Sequence, residues 1–291
     1  MPSTLLFAAP ADLTISLIAG LFGLLIGSFL NVVIHRLPIM MQREWDNDFA
    51  EASDKPPVHT EAYNLVVPRS ACPHCGHQIT ALENIPVLSY LVLGGKCSSC
   101  KAKISFRYPT VELITGALSA LMVWQFGSGW LGLGALLFLY LLVALTFIDF
   151  DTQLLPDDLC YPLLWAGLLI NLHQGFVPLH DAVVGAAAGY LFLWSINFLY
   201  RLLRGHDGMG YGDFKLLGAL GAWMGWTMLP AIVLMSSVVG ALVGIVLMIL
   251  NRRGLDLKIP FGPYLAAAGL ICFVQHAQIS AFLRDAYPFL Q

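Results

Sequence analysis

Apolar residues along this chain come in long runs rather than in alternation. They cover 13–34, 110–126, 131–148, 159–176, 182–203, 214–229, 231–250 and 261–283, and most approach the roughly 20 residues that cross a bilayer as a helix. The pattern predicts an all-α polytopic membrane protein with about eight transmembrane helices. The sixth run, "FKLLGALGAWMGWTML", is short and glycine-rich, so a tilted or partly re-entrant helix fits it as well as a full crossing. Polar, charged, Pro and Cys residues concentrate in one stretch, 35–108. The predicted organisation is a first transmembrane helix at 1–34, a small zinc-binding cytoplasmic domain at 35–108, and a core of about seven helices at 109–291. The front of the polar stretch, "MQREWDNDFAEASDKPPVHTEAYN", has mixed charge and no period, and predicts an irregular excursion. No internal repeat is evident.

Composition agrees: only 11% of the residues are charged, less than half of the roughly 25% in soluble domains. No Lys or Arg precedes the first run and no A-x-A site follows it, so it is expected to stay as an anchor and not be cleaved as a secretory signal. Arg36 to Arg107 contain eight basic residues, Arg201, Arg204 and Lys215 three, and Arg252, Arg253 and Lys258 three more. Eight crossings put all of these on one side, with Arg284 alone opposite, and the positive-inside rule makes that side the cytoplasm. The net charge of −3 and the lack of a basic tract give no reason to expect nucleic acid.

Cys72 and Cys75 stand two residues apart, and Cys97 and Cys100 repeat the spacing. Two such pairs can close on one tetrahedral Zn²⁺, whose four thiolates leave no position for substrate, so the site is expected to be structural. Two disulfides are the alternative, disfavoured by the reducing cytosol. His74 and His77 lie close enough to compete as ligands, whereas Cys160 and Cys272 fall in apolar runs and are expected only to pack.

The third run ends in "TFIDFDTQLLPD", which places Asp149 inside a helix end. A second acid, Asp213, follows the glycines of "GMGYGDFK". A carboxylate at membrane depth is costly and marks a functional candidate. With both at cytoplasmic helix ends the two acids can meet, share one proton and titrate as a pair. Such a pair can activate water and hydrolyse a peptide. Gly208, Gly210 and Gly212 are expected to adopt positive φ and approach an extended peptide, while Asp213 starts a helix whose N-terminus orients it. The alternatives are a plain N-cap for Asp213 and a snorkelling interfacial acid for Asp149. Asp151, Asp157 and Asp158 are expected to be solvated or capping. Lys215 is expected to hold a substrate carbonyl or to snorkel.

Across nearly its whole length the chain resembles the type IV prepilin peptidases. The likeness rests on "GSFLNVVIHRLP", "CPHCG", "GGKCSSCK", "RYPTVELITG", "IDFDTQLLPD", "GMGYGDFKLL" and "PFGPYLAAAG", in that order. It implies a bifunctional enzyme of the bacterial inner membrane. Such an enzyme cleaves the basic leader from type IV prepilins and type II secretion pseudopilins at the cytoplasmic face, then methylates the new N-terminus with S-adenosylmethionine. It also implies Asp149 and Asp213 as the catalytic pair of the glycine-x-glycine-aspartate class, and the four cysteines as its zinc-linked motif.

The methyl-donor site is not legible from spacing, because the polar stretch holds no GxGxxG and is too short for a Rossmann domain. If the donor binds near the cysteines, Gly95 and Lys96 are the candidates, through backbone access and a cation for the donor's carboxylate. A turn with a solvated lysine is the alternative. Glu112 faces a site or a structural partner, and Asn31 suits an interhelical hydrogen bond. Outside the enzyme class, a proton or cation path and a zinc-bearing assembly protein are the other readings. Against a transporter, the acids sit at helix ends and not at a midplane.

Overall fold

Each of the eight apolar runs is mainly helical in the computed structural model, which describes residues 12–251 and 260–286. Arg252, Arg253 and Lys258, part of the charge argument above, fall outside the described residues, and so do 1–11 and 287–291. No β-strand occurs among the described residues, only two isolated bridges, Ala71 with Gln78 and Lys96 with Lys103. The chain forms two compact units, which part at Trp124 and Gln125.

In the first unit, helix α1 runs from Leu13 to Ala52, 40 residues, or about 60 Å at 1.5 Å per residue. Asp12 caps its start, accepting from the Thr14 N–H at 3.1 Å. The helix continues well past the end of its apolar run, so that, whereas 53–64 form the expected irregular segment, residues 41–52 are helical. Met, Gln, Arg, Glu and Ala favour helix there, and Gln42 donates to Asp46 one turn on, at 2.9 Å. A 3₁₀ turn, Leu82–Asn84, and a short helix α2, Leu88–Val92, lead to α3, Arg107–Phe126. Helices α1 and α3 meet through small residues. A methyl group on Gly27 would stand 2.7 Å from the Glu112 Cα, and one on Gly116 would stand 2.6 Å from Leu24. Where lipid offers no hydrophobic drive for helix association, such backbone approach supplies the packing. Asn31 adds the expected interhelical bond, donating to the Tyr108 carbonyl at 3.1 Å.

The second unit holds α4 (Trp130–Thr152), α5 (Asp157–Leu172), α6 (Leu179–Arg204), α7 (Tyr211–Met224), α8 (Leu229–Asn251), α9 (Gly262–Val274) and α10 (His276–Ala286). Helix α7 is its axis. Every residue from Leu216 to Met224 is buried, packed by α5, α6 and α9. Glycines allow this. A methyl on Gly189 of α6 would stand 2.6 Å from the Leu217 carbonyl, one on Gly167 of α5 2.6 Å from the Trp223 ring, and one on Gly269 of α9 2.6 Å from Leu220, while Gly221 abuts Gly185 backbone to backbone. Polar groups at the far end of α7 are paired. Trp223 Nε1 donates to the Leu163 carbonyl at 2.7 Å, and Asn171 Nδ2 donates to the Ala222 carbonyl at 2.8 Å.

Among the described residues, four segments are long and apolar enough to cross a membrane: α1, α4, α6, and Trp226–Leu250, which contains most of α8. Helices α9 and α10 make a fifth if their 88° bend is counted within one span. The expected count of about eight is therefore not confirmed. Two helices stop before their runs do. Gly225, at φ +77°, ends α7 after 14 residues, about 21 Å against a hydrocarbon core of about 30 Å. Helix α5 ends at Leu172, with Gln174 at φ +57°.

Gly221→Leu is expected to drive α6 and α7 apart and to destabilise the fold by roughly 1–3 kcal/mol or more. Reversible unfolding in mixed detergent micelles checks it, with the outward-facing Leu191→Ala expected to behave as wild type.

Candidate active site

Asp149 lies in the last turn of α4. The helix stops there because Gln153 takes the left-handed conformation, φ 56°, and returns its N–H to the Asp149 carbonyl at 2.9 Å. Asp213 lies in the first turn of α7, two residues beyond the start at Tyr211, with Gly210 as the cap. It is thus inside the helix and not the plain N-cap of the alternative reading. Both acids are buried, at 5% and 9% exposure, so Asp149 does not snorkel to solvent.

The fold brings the two acids together. The charge of Asp149 acts on Asp213, and both act on the buried Cys160 thiol. One side chain, Leu155 in the α4–α5 loop, touches the backbone of both neighbouring segments. A methyl on Gly212 would stand 2.7 Å from its Cβ, and one on Gly262 3.2 Å from its Cδ1. The Gly262 backbone also lies close against the Asp149 carboxylate, where a methyl would stand 2.6 Å from Oδ2. That Oδ2 is buried with no hydrogen-bond partner. Buried carboxylate oxygens are almost always paired. Chemically, two buried carboxyl groups, one of them with such an oxygen and placed where its charge bears on the other, can give protons to and take protons from a bound water.

The glycines around Asp213 differ from expectation. None of Gly208, Gly210 and Gly212 has positive φ; Gly210 is extended at φ −73°. Their smallness is used against the protein itself, Gly212 on Leu155 and Gly208 on the Tyr200 ring, where a methyl would come within 2.7 Å. The left-handed residue of this loop is Gly205, φ 80°, which ends α6.

Lys215 takes neither expected role. Its ammonium donates to both oxygens of Asp157, at 2.6 and 2.8 Å, and lies 5.3 Å from the centre of the Tyr161 ring. Asp157, expected to be solvated, thereby ties the start of α5 to the first turn of α7. Asp151 and Asp158 are exposed. Both the Lys215–Asp157 pair and Gly262 escaped sequence reasoning. Nothing local links residues so far apart in the chain, although "PFGPY" stood out as a motif without a role.

In the first unit the four cysteines converge. Their sulfurs lie within 4.8 Å of one another, with Cys72 to Cys100 at 3.8 Å and Cys75 to Cys97 at 4.0 Å. A tetrahedron with metal–sulfur bonds of about 2.3 Å has edges of about 3.8 Å, so the four thiols fit one ion. Disulfides need about 2.05 Å, and all four cysteines are free. The two pairs sit in equivalent knuckles. Cys72 N–H bonds to the His77 carbonyl as Cys97 N–H bonds to that of Ala102, and Gly76 and Lys101 hold the same left-handed place, at φ 70° and 61°. A short structural repeat is therefore present, 70–79 and 95–104, which the sequence hid because little beyond the cysteines is shared. The N–H groups of His74 and Cys75 pull the Cys72 thiol down to about 7. His77 is engaged elsewhere: its Nε2 lies 3.2 Å from Glu83. Ser98, then Thr80 and His77, hold the Glu83 carboxyl down to about 2.

Gly95 closes the base of the second knuckle. Its N–H bonds to the Tyr90 carbonyl and its carbonyl accepts from Ile104, both at 2.8 Å. With a φ of +67° and the Tyr90 hydroxyl 2.8 Å from any Cβ, the position demands glycine on structural grounds. Both the N–H and the carbonyl of Gly95 thus take part in the knuckle. Lys96 is exposed. Glu112 has a structural partner, accepting the Val87 N–H at 2.8 Å. Arg36, which no expectation singled out, is buried and donates to the Asn64 and Pro68 carbonyls at 2.8 and 2.6 Å.

Residues 21–126 match the bacterial peptidase A24 N-terminal domain, and residues 136–245 match the type IV leader peptidase family. The chain is 59% identical over 257 residues to the prepilin leader peptidase/N-methyltransferase of Aeromonas salmonicida (strain A449), covering 87% of this chain and 88% of that one. It is 53% identical over 276 residues to the protein of the same name from Stutzerimonas stutzeri, covering 94% and 96%. The Pseudomonas aeruginosa protein is 52% identical over 275 residues, covering 94% and 95%. No solved structure matches the chain.

Cys72→Ser is expected to remove most of the metal that the wild-type protein carries, measured by elemental analysis after purification in detergent. Metal retained at the wild-type level would show that the four sulfurs do not act as one site.

Proposed function

The chain belongs to the type IV leader peptidase family, and on that premise we propose that it is a prepilin leader peptidase and N-methyltransferase whose peptidase centre is Asp149 with Asp213. The observation that carries this reading is the convergence of two buried acids from the end of α4 and the start of α7, one of them with an orphaned oxygen.

In the proposed reaction one carboxylate takes a proton from a water, whose oxygen attacks the scissile carbonyl carbon. The other acid, protonated, gives its proton to the carbonyl oxygen. In the second half the proton taken from water passes to the amide nitrogen while the other carboxylate takes back a proton from a hydroxyl of the tetrahedral intermediate, the C–N bond breaks, the C=O re-forms, and the amine leaves. Burial strengthens each of these charge movements, since fixed groups replace water around them. Gly262 supports the geometry by letting the start of α9 close against the Asp149 carboxylate, and the Asp157–Lys215 pair by fixing the start of α5 to that of α7.

The substrates of this reading are type IV prepilins and type II secretion pseudopilins, cut at the cytoplasmic face of a bacterial inner membrane. The excess of Lys and Arg around the cysteines supports a cytoplasmic position for that segment. Zinc suits four thiolates at these spacings and would serve to hold the two knuckles in a segment with little apolar core. S-adenosylmethionine supplies the methyl group when bound. Because the backbone of Gly95 is engaged, Lys96 is the member of that pair left to meet the donor's carboxylate. A proton or cation path finds less support, because the acids stand at helix ends.

Asp149→Asn and Asp213→Asn are each expected to lower prepilin cleavage roughly a thousandfold or more while the amount of folded protein stays at the wild-type level. Mass spectrometry of a prepilin incubated with the purified protein checks this, through loss of the leader mass. Addition of S-adenosylmethionine is expected to add one methyl group to the cleaved product, and full cleavage by either variant would end the aspartyl assignment.

A further inference from the structure

One side chain ties the loop that carries Asp213 to its neighbour. Asn197 lies on α6, a helix long and apolar enough to cross a membrane, and is only 5% exposed. A buried amide there is costly unless it is bonded. It makes three bonds, all to the loop between α6 and α7. Its Nδ2 donates to Asp207 Oδ1 at 3.0 Å, and its Oδ1 accepts the N–H of Gly208 at 2.9 Å and of Met209 at 3.2 Å. Other contacts narrow the loop further. Gly205 ends α6 in the left-handed conformation and Gly208 lies flat on the Tyr200 ring. Only Gly210 then separates the clamped residues from the start of α7, and Asp213 sits in its first turn.

We propose that Asn197 is a positioning residue: its amide clamps residues 207–209 and so fixes where the first turn of α7 presents the Asp213 carboxylate. This rests on Asp213 being catalytic, as proposed above. The clamp works where the helix cannot. The body of α7 is held by packing along Leu216 to Met224, whereas its first turn is set by Gly212 against Leu155, the Phe214 ring against Tyr190, the Lys215–Asp157 pair and the loop that leads into it. A displacement of about 1 Å at a reacting group can reduce turnover about a hundredfold, so a three-bond anchor next to the first turn bears directly on rate. Asp207 has one other charged neighbour, Arg201, at 4.0 Å and exposed, a pair of little energetic weight.

A swap of polarity tests the proposal. Asn197→Asp keeps an acceptor for the two N–H groups but sets a carboxylate against Asp207. Adding Asp207→Asn restores a donor and an acceptor in reversed order. Cleavage kinetics on a purified prepilin are measured for both variants, for Asn197→Ala and for Asp213→Asn, each normalised to folded protein. The single Asn197 variants are expected to lose about 10- to 100-fold in kcat. Their KM should stay within about threefold, because the catalyst and not the substrate site has moved. The double variant is expected to return to within about threefold of wild-type kcat. A double variant no better than Asn197→Asp, or single variants with wild-type kcat per folded molecule, overturns the proposal. If Asn197→Ala does not accumulate, Asp207→Ala on the exposed partner takes its place, and an unchanged kcat there has the same force. Asp213→Asn separates the two ideas. Its full activity would sink the catalytic assignment itself, whereas its inactivity with a failed swap sinks only the clamp.

Discussion

The backbone contact between α6 and α7 is what the rest of the second unit depends on. Gly185 and Gly189 on one helix, and Gly218 and Gly221 on the other, leave no room for a methyl group at the crossing. A membrane protein gains little from hiding apolar side chains from lipid that is equally apolar, so close contact must come from shape. Once α7 is seated, its 14 residues need not span anything. They set the depth of the first turn, and with it the position of Asp213. Gly167 and Gly269 complete the enclosure from α5 and α9.

Two asparagines finish what the glycines begin. Asn171 bonds to the carbonyls at the C-terminal end of α7, and it also accepts the N–H groups of Phe176 and Val177. Asn197 does the corresponding work on the loop before the N-terminal end. Each uses donor and acceptor together, which is how a buried amide avoids a desolvation penalty. Against this background of satisfied groups, the bare Oδ2 of Asp149 stands apart. The fold spends its hydrogen bonds on holding the helices, and leaves unsatisfied the one oxygen assigned to proton transfer.

The first unit solves a different problem with the same economy. Its knuckles have almost no apolar interior, so the four sulfurs provide the centre around which the chain can order. Outside them, Glu83 gathers Ser98, Thr80 and His77 into a network that couples the two knuckles. Arg36 reaches from α1 to the carbonyls of Asn64 and Pro68, joining the long helix to the polar segment.

The helical class, the convergence of four cysteines and the presence of two acids at helix ends were legible in the sequence, because each is carried by a local signal: run length, C-x2-C spacing, and a carboxylate inside an apolar stretch. The number of crossings is not confirmed, since hydropathy cannot see that Gly225 and Gln174 stop helices before their runs end. Sequence also misread the glycines before α7, for a glycine's reason lies in the atom that faces it, here Leu155 or Tyr200, far off in the chain. The pairing of Lys215 with Asp157, the close approach of Gly262 to Asp149 and the grip of Asn197 were decided only by the tertiary structure. Each joins segments that no local period or spacing connects, and only helix packing brings them into contact.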